Sequence, residues 1–371
     1  MSTLRCPVVR LGPIEVHDNA DALEVVNVLG YQAVVQKGLH QEGNLVVYVP
    51  EGAVVPADVL EEFGFTGKLA GKDKNRVKAV RLRGKLSQGL VLPAIKVLMF
   101  LAIAGRLTDD VHVRRETGGP EGEAELFLRE GADLAAALGI TKWEPPIPVH
   151  MQGEVQSAPE WFRLFYDIEN VKSWPEVLTP TEPLIATEKI HGTNMRAGWH
   201  REDGFFVASR GRDVALKPSD TNLYWRAARQ YQLEEALRAL VEQYGLEYAV
   251  VFGEVYGARV QDLHYGHADG QISFAAFDLL VCHPDQRVPQ FVSYDSPLHA
   301  SLAVPHVPVV ARGTLSEVLT SVSGTAFRGA HMREGLVLRP ILERYHPDLG
   351  RVVLKAINPD YLLRQGGTEF H

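Results

Sequence analysis

The residues best equipped for chemistry lie in the run Glu188-Lys189-Ile190-His191-Gly192-Thr193-Asn194. Residues 181–187 before it are extended in character and part apolar, and Gly192 and Asn194 mark a turn, which predicts Lys189 at a strand end. A free lysine amine titrates near about 10.4 and attacks poorly at neutral pH unless desolvation, a nearby cation or a metal favours its neutral form. Read alone, K-x-H-G fits an exposed structural lysine as well as a nucleophile. Further downstream, polar groups sit beside apolar, strand-like runs. Arg210 follows the run at residues 205–209, and residues 248–257 deliver Glu254 between glycines, where a ligand can approach the backbone. Phe277 lies in the apolar run 272–279, and Glu334 and Lys355 lie in the runs 333–339 and 351–358. Each has a plainer alternative, since Phe277 and Val337 suit a core and Glu334 and Lys355 suit a solvated surface.

These residues need a scaffold to converge. At 371 residues the chain is long for one core, and two domains are expected. In the first hundred residues short β-rich runs at 23–29, 31–36, 44–49 and 76–82 are separated by turn residues, with a short helix predicted at 56–63. This pattern predicts a small β-barrel with one inserted helix. Residues 123–138, with Phe127, Leu134 and Leu138 at helical spacing and Gly139 behind them, predict a helix linking the barrel to the second half of the chain. Trp143-Glu144-Pro145-Pro146-Ile147-Pro148 reads as a semi-rigid linker, placing a domain boundary at 150–160. From Trp161 onward strand-like runs alternate with helices, such as one predicted at 223–244, in a mixed α+β domain.

Charge narrows the function classes. With 46 acidic and 38 basic residues the net charge is −8, so any nucleic-acid site must be local. One local candidate exists. Between Lys68 and Lys85 eight basic residues face a single acid, Asp73. The run suits either a solvated strand pair with lysines blunting an edge or a phosphate-tracking groove on an OB-type barrel. Two distant cysteines, Cys6 and Cys282, fit a reducing compartment and give neither a disulfide framework nor a cysteine-rich zinc site. The amino terminus has no apolar signal core and residues 97–104 are too short to span a bilayer, so a cytoplasmic protein with no membrane partner is expected. No G-x-x-x-x-G-K-[ST] loop occurs, which argues against a P-loop ATPase.

The order Lys189, Ser209-Arg210, Phe252-Gly253-Glu254, Phe277, Glu334-Gly335, Lys355 resembles motifs I, Ia, III, IIIa, IV and V of the covalent nucleotidyltransferases. K-I-H-G-T-N with E-G-L-V-L-R-P is most similar to the RNA ligases, whereas DNA ligases usually carry aspartate where His191 stands. The resemblance spans roughly residues 160–371. It implies an α+β chain in which an OB-like module (1–150, with the helical linker) precedes an adenylyltransferase domain (151–371) of antiparallel sheets flanked by helices. It also implies ATP, and Mg²⁺ or Mn²⁺, as cofactors. Lys189 resembles the nucleophile that forms a lysyl-AMP phosphoramidate. Glu188 and the peptide through Ile190 are similar to the segment that reads the adenine edge, and Phe277 and Val337 to the pair that sandwiches the ring. Asn194, Arg210 and Glu254 resemble ribose and phosphate contacts, Glu334 the metal-binding carboxylate, and Lys355 the motif V lysine on the AMP phosphate.

Two departures refine the family. Motif V often reads K-x-K, but here Ile357 occupies the second lysine's place. A shifted register makes Lys355 the second lysine, while the unshifted one puts Tyr361-Leu362 where relatives have them. Only 16 residues follow Lys355, too few for a barrel, so the barrel comes first. That order resembles the fifth family of RNA ligases, which seal 3′-OH/5′-phosphate nicks. The resemblance therefore implies RNA or an RNA-containing nicked duplex as partner, with no obligate protein partner. A DNA ligase, a capping-type guanylyltransferase and an inactive nucleic-acid-binding protein remain the alternatives.

Overall fold

The computed structural model describes residues 4–107, 111–115, 124–143, 155–164, 166–209 and 214–364, giving only the backbone of 111–115 and 124–126. The chain divides into two compact units, Met1–Pro145 and Pro146–Phe370.

In the first unit the strand Leu45–Val49 is apolar at every position because both of its faces are covered. Val46 and Tyr48 join Val26, Val28, Tyr31, Ala33 and Val91 in one core, while Val47 and Val49 join Val97, Leu98 and Leu101 of the helix Ala94–Ile103 in another. Leu45–Val49 lies between Val8–Arg10 and Leu90–Pro93, and a second sheet runs Ile14–Val16, Leu23–Val28, Tyr31–Gln36. The predicted short helix is present at Ala57–Glu62.

Three sequence expectations in this unit need correction. The helix expected at 123–138 is replaced by a strand, Ala124–Leu128, paired antiparallel with Val111–Arg115, followed by turns. Phe127 is exposed and Leu128 buried, the period-2 alternation of a strand. Leu134 and Leu138 are both buried, and a single i to i+4 hydrogen bond joins them. The strand expected at 76–82 shrinks to Val80–Leu82, paired with Lys85–Ser87. Arg76, counted in the basic run, is buried with its guanidinium 3.4 Å above the Trp143 ring, so it leaves the charged surface. Lys68, Lys72, Lys74, Arg81 and Arg83 are exposed.

The second unit contains two five-stranded sheets. One runs Glu169–Asn170, Leu354–Ile357, Gly335–Pro340, Leu184–Lys189, Val309–Gly313, and the other Gly204–Ala208, Thr193–His200, Tyr248–Gly257, Ile272–Cys282, Gln290–Phe291. The helix expected at 223–244 is two helices, Leu223–Gln230 and Leu233–Tyr244, broken at Gln232, which adopts φ 48°. Asn222 caps the first by accepting from the N–H groups of Tyr224 and Trp225. Both helices pack on the second sheet through Trp225, Leu237, Leu240 and Val241. Among the described residues no helix is long and apolar enough to cross a membrane.

A buried charge cluster ties the two sheets together. Asp278, on the strand Ile272–Cys282, accepts hydrogen bonds from Arg339 at 2.8 Å, from Arg351 at 2.7 and 2.9 Å, and from the Tyr166 hydroxyl. Burial by itself raises the Asp278 pKa, but Arg339 and Arg351 outweigh it and hold the group at about 2. A carboxylate depressed in this way contributes stability that is complete above its unfolded pKa near about 4 and is lost as pH falls through about 2. Asp278→Ala, which leaves the buried Arg339 guanidinium without a carboxylate and Arg351 with Glu343 alone, is expected to cost about 3–5 kcal/mol in urea unfolding at neutral pH. A change below about 1 kcal/mol, the range of an exposed ion pair, would contradict this role.

Candidate active site

The site follows from strand parity. Leu184–Lys189 is paired on one side with Gly335–Pro340, in the register Lys189 to Gly335, Thr187 to Val337, Ile185 to Arg339. Gly335–Pro340 is in turn paired with Leu354–Ile357, Val337 facing Lys355 and Gly335 facing Ile357. Directly opposed residues share a sheet face. Leu184, Ala186, Leu336, Leu338, Leu354 and Ala356 therefore occupy one face, where they form a core cluster. Lys189, Thr187, Val337 and Lys355 occupy the other. Glu334 immediately precedes this strand, and its buried carboxylate lies 2.5 Å from the Lys189 Nζ. Asn358, after the Lys355 strand, donates its Nδ2 hydrogen bond to the Arg333 carbonyl, and its backbone N–H donates to the Glu334 carbonyl. The backbone holding Glu334 is thus pinned to the strand carrying Lys355. Gly335 permits this approach, since a Cβ there would lie 2.2 Å from the Ala356 oxygen.

The second sheet brings Asn194 and Glu254 directly opposite each other on adjacent strands. Phe277 sits one residue from Asp278, past an irregularity in the pairing at Phe252/Gly253. Its carbonyl accepts from Arg339 at 2.8 Å, and its half-buried ring is 5.2 Å from the Tyr166 ring. The ring packs against two apolar clusters, one of which contains Ile190.

Two more of the expected site residues, Glu188 and Ile190, make contacts within the protein. Glu188 falls on the core side of its strand by the same parity that puts Lys189 on the opposite face, and its carboxylate accepts from the Phe327 N–H at 3.0 Å and from Arg333 at 3.3 Å. Burial, partly offset by Arg333, pushes its pKa up to about 7. Its carboxylate is thus engaged by Phe327 and Arg333 within the protein. Ile190 is buried with Tyr256, Tyr265 and Ala275, a packing position. Arg210 lies outside the described residues.

Side chains that the sequence reading did not assign surround the turn after Lys189. The His191 N–H donates to the Tyr265 hydroxyl at 2.7 Å. The His191 ring is 2.7 Å from the Asp262 carboxylate through Nε2 and 2.7 Å from the Tyr361 hydroxyl through Nδ1. The Gly192 carbonyl accepts from Gln261. Gly192 itself is dictated by crowding, because a Cβ would meet the Val255 oxygen at 2.3 Å.

Among the described residues no group of three or more His, Cys, Asp or Glu side chains could hold a metal ion. A lone buried carboxylate, Glu334, does suit a hydrated Mg²⁺ or Mn²⁺, which keeps most of its waters and shares one or two carboxylates with substrate phosphates.

Comparison with known proteins agrees with this geometry. The RNA ligase family model matches residues 182–357, and an OB-fold domain model matches residues 6–94. The Naegleria gruberi RNA ligase solved with pyrophosphate is 24% identical over 98% of each chain, with a TM-score of 0.70. A mutant of that ligase with AMP and Mn is 23% identical over 97% of this chain and 98% of its own, with a TM-score of 0.70. Another, with ATP and Mn, is 23% identical over 96% and 98%, again with a TM-score of 0.70. At these identities the likeness establishes the fold, an OB-fold domain followed by a ligase nucleotidyltransferase domain. No curated protein sequence matches the chain. Residues 182–357, which include the strands bearing Lys189 and Lys355 and the residue Glu334, thus match the RNA ligase family model, and residues 6–94 ahead of them match an OB-fold domain model.

Proposed function

We propose that the protein is an RNA ligase that uses ATP to seal 3′-OH/5′-phosphate nicks in RNA-containing duplexes through a lysyl-AMP intermediate. The observation that carries the reading is the 2.5 Å contact between Lys189 and buried Glu334, on the sheet face that also presents Val337 and Lys355. In the first step the Lys189 amine attacks the α-phosphorus of ATP, a P–N bond forms, and the P–O bond to pyrophosphate breaks. Lys355 faces the negative charge that grows on the α-phosphate oxygens, a location where a fixed cation acts most strongly. Phe277 and Val337 flank the adenine, Asn194 and Glu254 bind the ribose, Arg210 contacts phosphate, and the backbone at Glu188–Ile190 meets the base edge. Glu334 would hold the divalent ion, which when bound supplies positive charge at the reacting phosphate. AMP then passes to the 5′-phosphate, and the 3′-OH displaces it.

Residues 1–150 serve nucleic-acid binding in this reading, with Lys68, Lys72, Lys74, Arg81 and Arg83 as phosphate contacts, and residues 151–371 perform the transfer. The protein acts on RNA without an obligate protein partner. A cytoplasmic location accords with two cysteines that are both free and buried.

The sugar at the 3′-OH side tests the nick-sealing assignment. A 2′-OH is sensed directly, or through the A-form geometry it favours. Nicked duplexes with RNA or DNA on each side of the break, presented to preformed enzyme-AMP, are expected to seal faster with ribose at the 3′-OH end and to respond little to the 5′-phosphate strand. Equal rates with deoxyribose would replace the RNA assignment with a DNA ligase.

A further inference from the structure

The turn immediately after Lys189 is held by two segments far away in sequence. Gln261, Asp262 and Tyr265 come from the connection between the strands Tyr248–Gly257 and Ile272–Cys282. Tyr361 and Arg364 come from the short helix Pro359–Leu362 and the residues just after it. Between them they engage the His191 N–H, both ring nitrogens of His191 and the Gly192 carbonyl. The two segments are also joined to each other. Arg364 donates to Asp262 at 3.0 Å, and its guanidinium stacks 3.5 Å over the Tyr361 ring, so it touches both partners of the imidazole.

Such attention to one turn has a geometric meaning. Lys189 is the last residue of its strand, so the pairing that fixes residues 184–188 ends at the amine-bearing residue. Beyond it, orientation depends on the turn. The His191 ring, 2% exposed, also lies 3.7 Å from the second carboxylate oxygen of Glu334, whose first oxygen contacts Lys189. Displacement of the ring therefore disturbs both ends of the Lys189–Glu334 pair.

Resting on the reading of Lys189 as the nucleophile, we propose that Asp262 is a positioning residue that acts through His191, with Arg364 fixing its carboxylate, to hold the Lys189 amine in line for adenylation. Asp262 itself touches neither ATP nor Lys189 in this scheme. Its loss changes the rate of the chemical step and not the affinity for the nucleotide.

The test uses the full-length protein, with α-labelled ATP as the probe. Adduct formation is measured in single turnovers for wild type, Asp262→Ala, Asp262→Asn, His191→Ala and the Asp262→Ala/His191→Ala double variant. Asp262→Ala is expected to slow adduct formation at saturating ATP by at least about tenfold, inside the roughly hundredfold that a 1 Å misplacement costs. Half-saturating ATP should stay within about twofold, because uniform binding is untouched. Asp262→Asn keeps an acceptor for the imidazole N–H and should recover part of the rate. The double variant should be no slower than His191→Ala alone, the signature of one residue acting through another. A wild-type rate in Asp262→Ala, a loss confined to half-saturating ATP, or losses that add in the double variant would overturn the inference. Should Asp262→Ala fail to fold, Asp262→Asn and its double variant with His191→Ala carry the same comparison. Absence of any adduct in wild type would instead overturn the nucleophile reading itself, so the two failures are distinct.

Discussion

Replacement of Lys189 by alanine is expected to leave a folded protein that forms no AMP adduct yet still joins a nick already carrying a 5′-adenylate. The reason lies in the division of labour between the steps. Lys189 forms a covalent bond only when AMP is taken from ATP, whereas phosphodiester formation needs a held adenylate and an oriented 3′-OH. Its side chain is about four-fifths buried and is paired with Glu334, so the fold should survive truncation better than truncation of Glu334, which is wholly enclosed. The measurement compares intact masses after incubation with ATP, and sealing of a pre-adenylated nicked duplex, for mutant and wild type. An undiminished adduct in the mutant would move the nucleophile elsewhere and remove the basis for every other role assigned on that sheet face.

Glu334 is expected to tolerate even less. Glu334→Ala and Glu334→Gln should each cost at least about 2.7 kcal/mol in the chemical steps, on the order of a hundredfold, as deletion of one preorganised electrostatic group does elsewhere. The glutamine variant is the sharper of the two. It keeps the size and a hydrogen-bonding oxygen in a pocket where the side chain is 1% exposed, but a neutral amide neither pairs with the Lys189 ammonium nor organises a hydrated divalent ion. The loss should be larger on pre-adenylated nicks than for Lys189→Ala, since a phosphate still reacts there. Near-normal rates for Glu334→Gln with Mg²⁺ or Mn²⁺ would reject the carboxylate's proposed role.

Much of this architecture is legible in the sequence because the responsible signals are local. The strand Tyr248–Gly257 has the expected bounds, since an apolar run closed by glycines has few other options. Lys189 ends its strand as the turn signal at Gly192 requires. Two of the failures arise where helical spacing runs on without a continuous helix beneath it. Phe127, Leu134 and Leu138 are spaced as on a helix, yet the first lies on a hairpin and the other two on a buried turn, because strand pairing with Val111–Arg115 claims the segment first. Residues 223–244 keep helical periodicity through Gln232, whose left-handed backbone no composition signal announces.

The site divides in the same way. Lys189, Glu334 and Lys355 are readable from their order along the chain, but the direction of Glu188 requires the sheet's parity, which places it against Arg333. The partners of His191 lie 71 and 170 residues away, at Asp262 and Tyr361, and no sequence pattern pairs either of them with His191. Only the tertiary fold joins them.

The most direct measurement is to incubate the full-length protein with α-labelled ATP and Mg²⁺, in parallel with α-labelled GTP, and to map the modified peptide by mass spectrometry. The expected product carries a single AMP, attached through a phosphoramidate to Lys189, with little transfer from GTP. Transfer to any other residue, preference for GTP, or no covalent nucleotide at all would contradict this expectation.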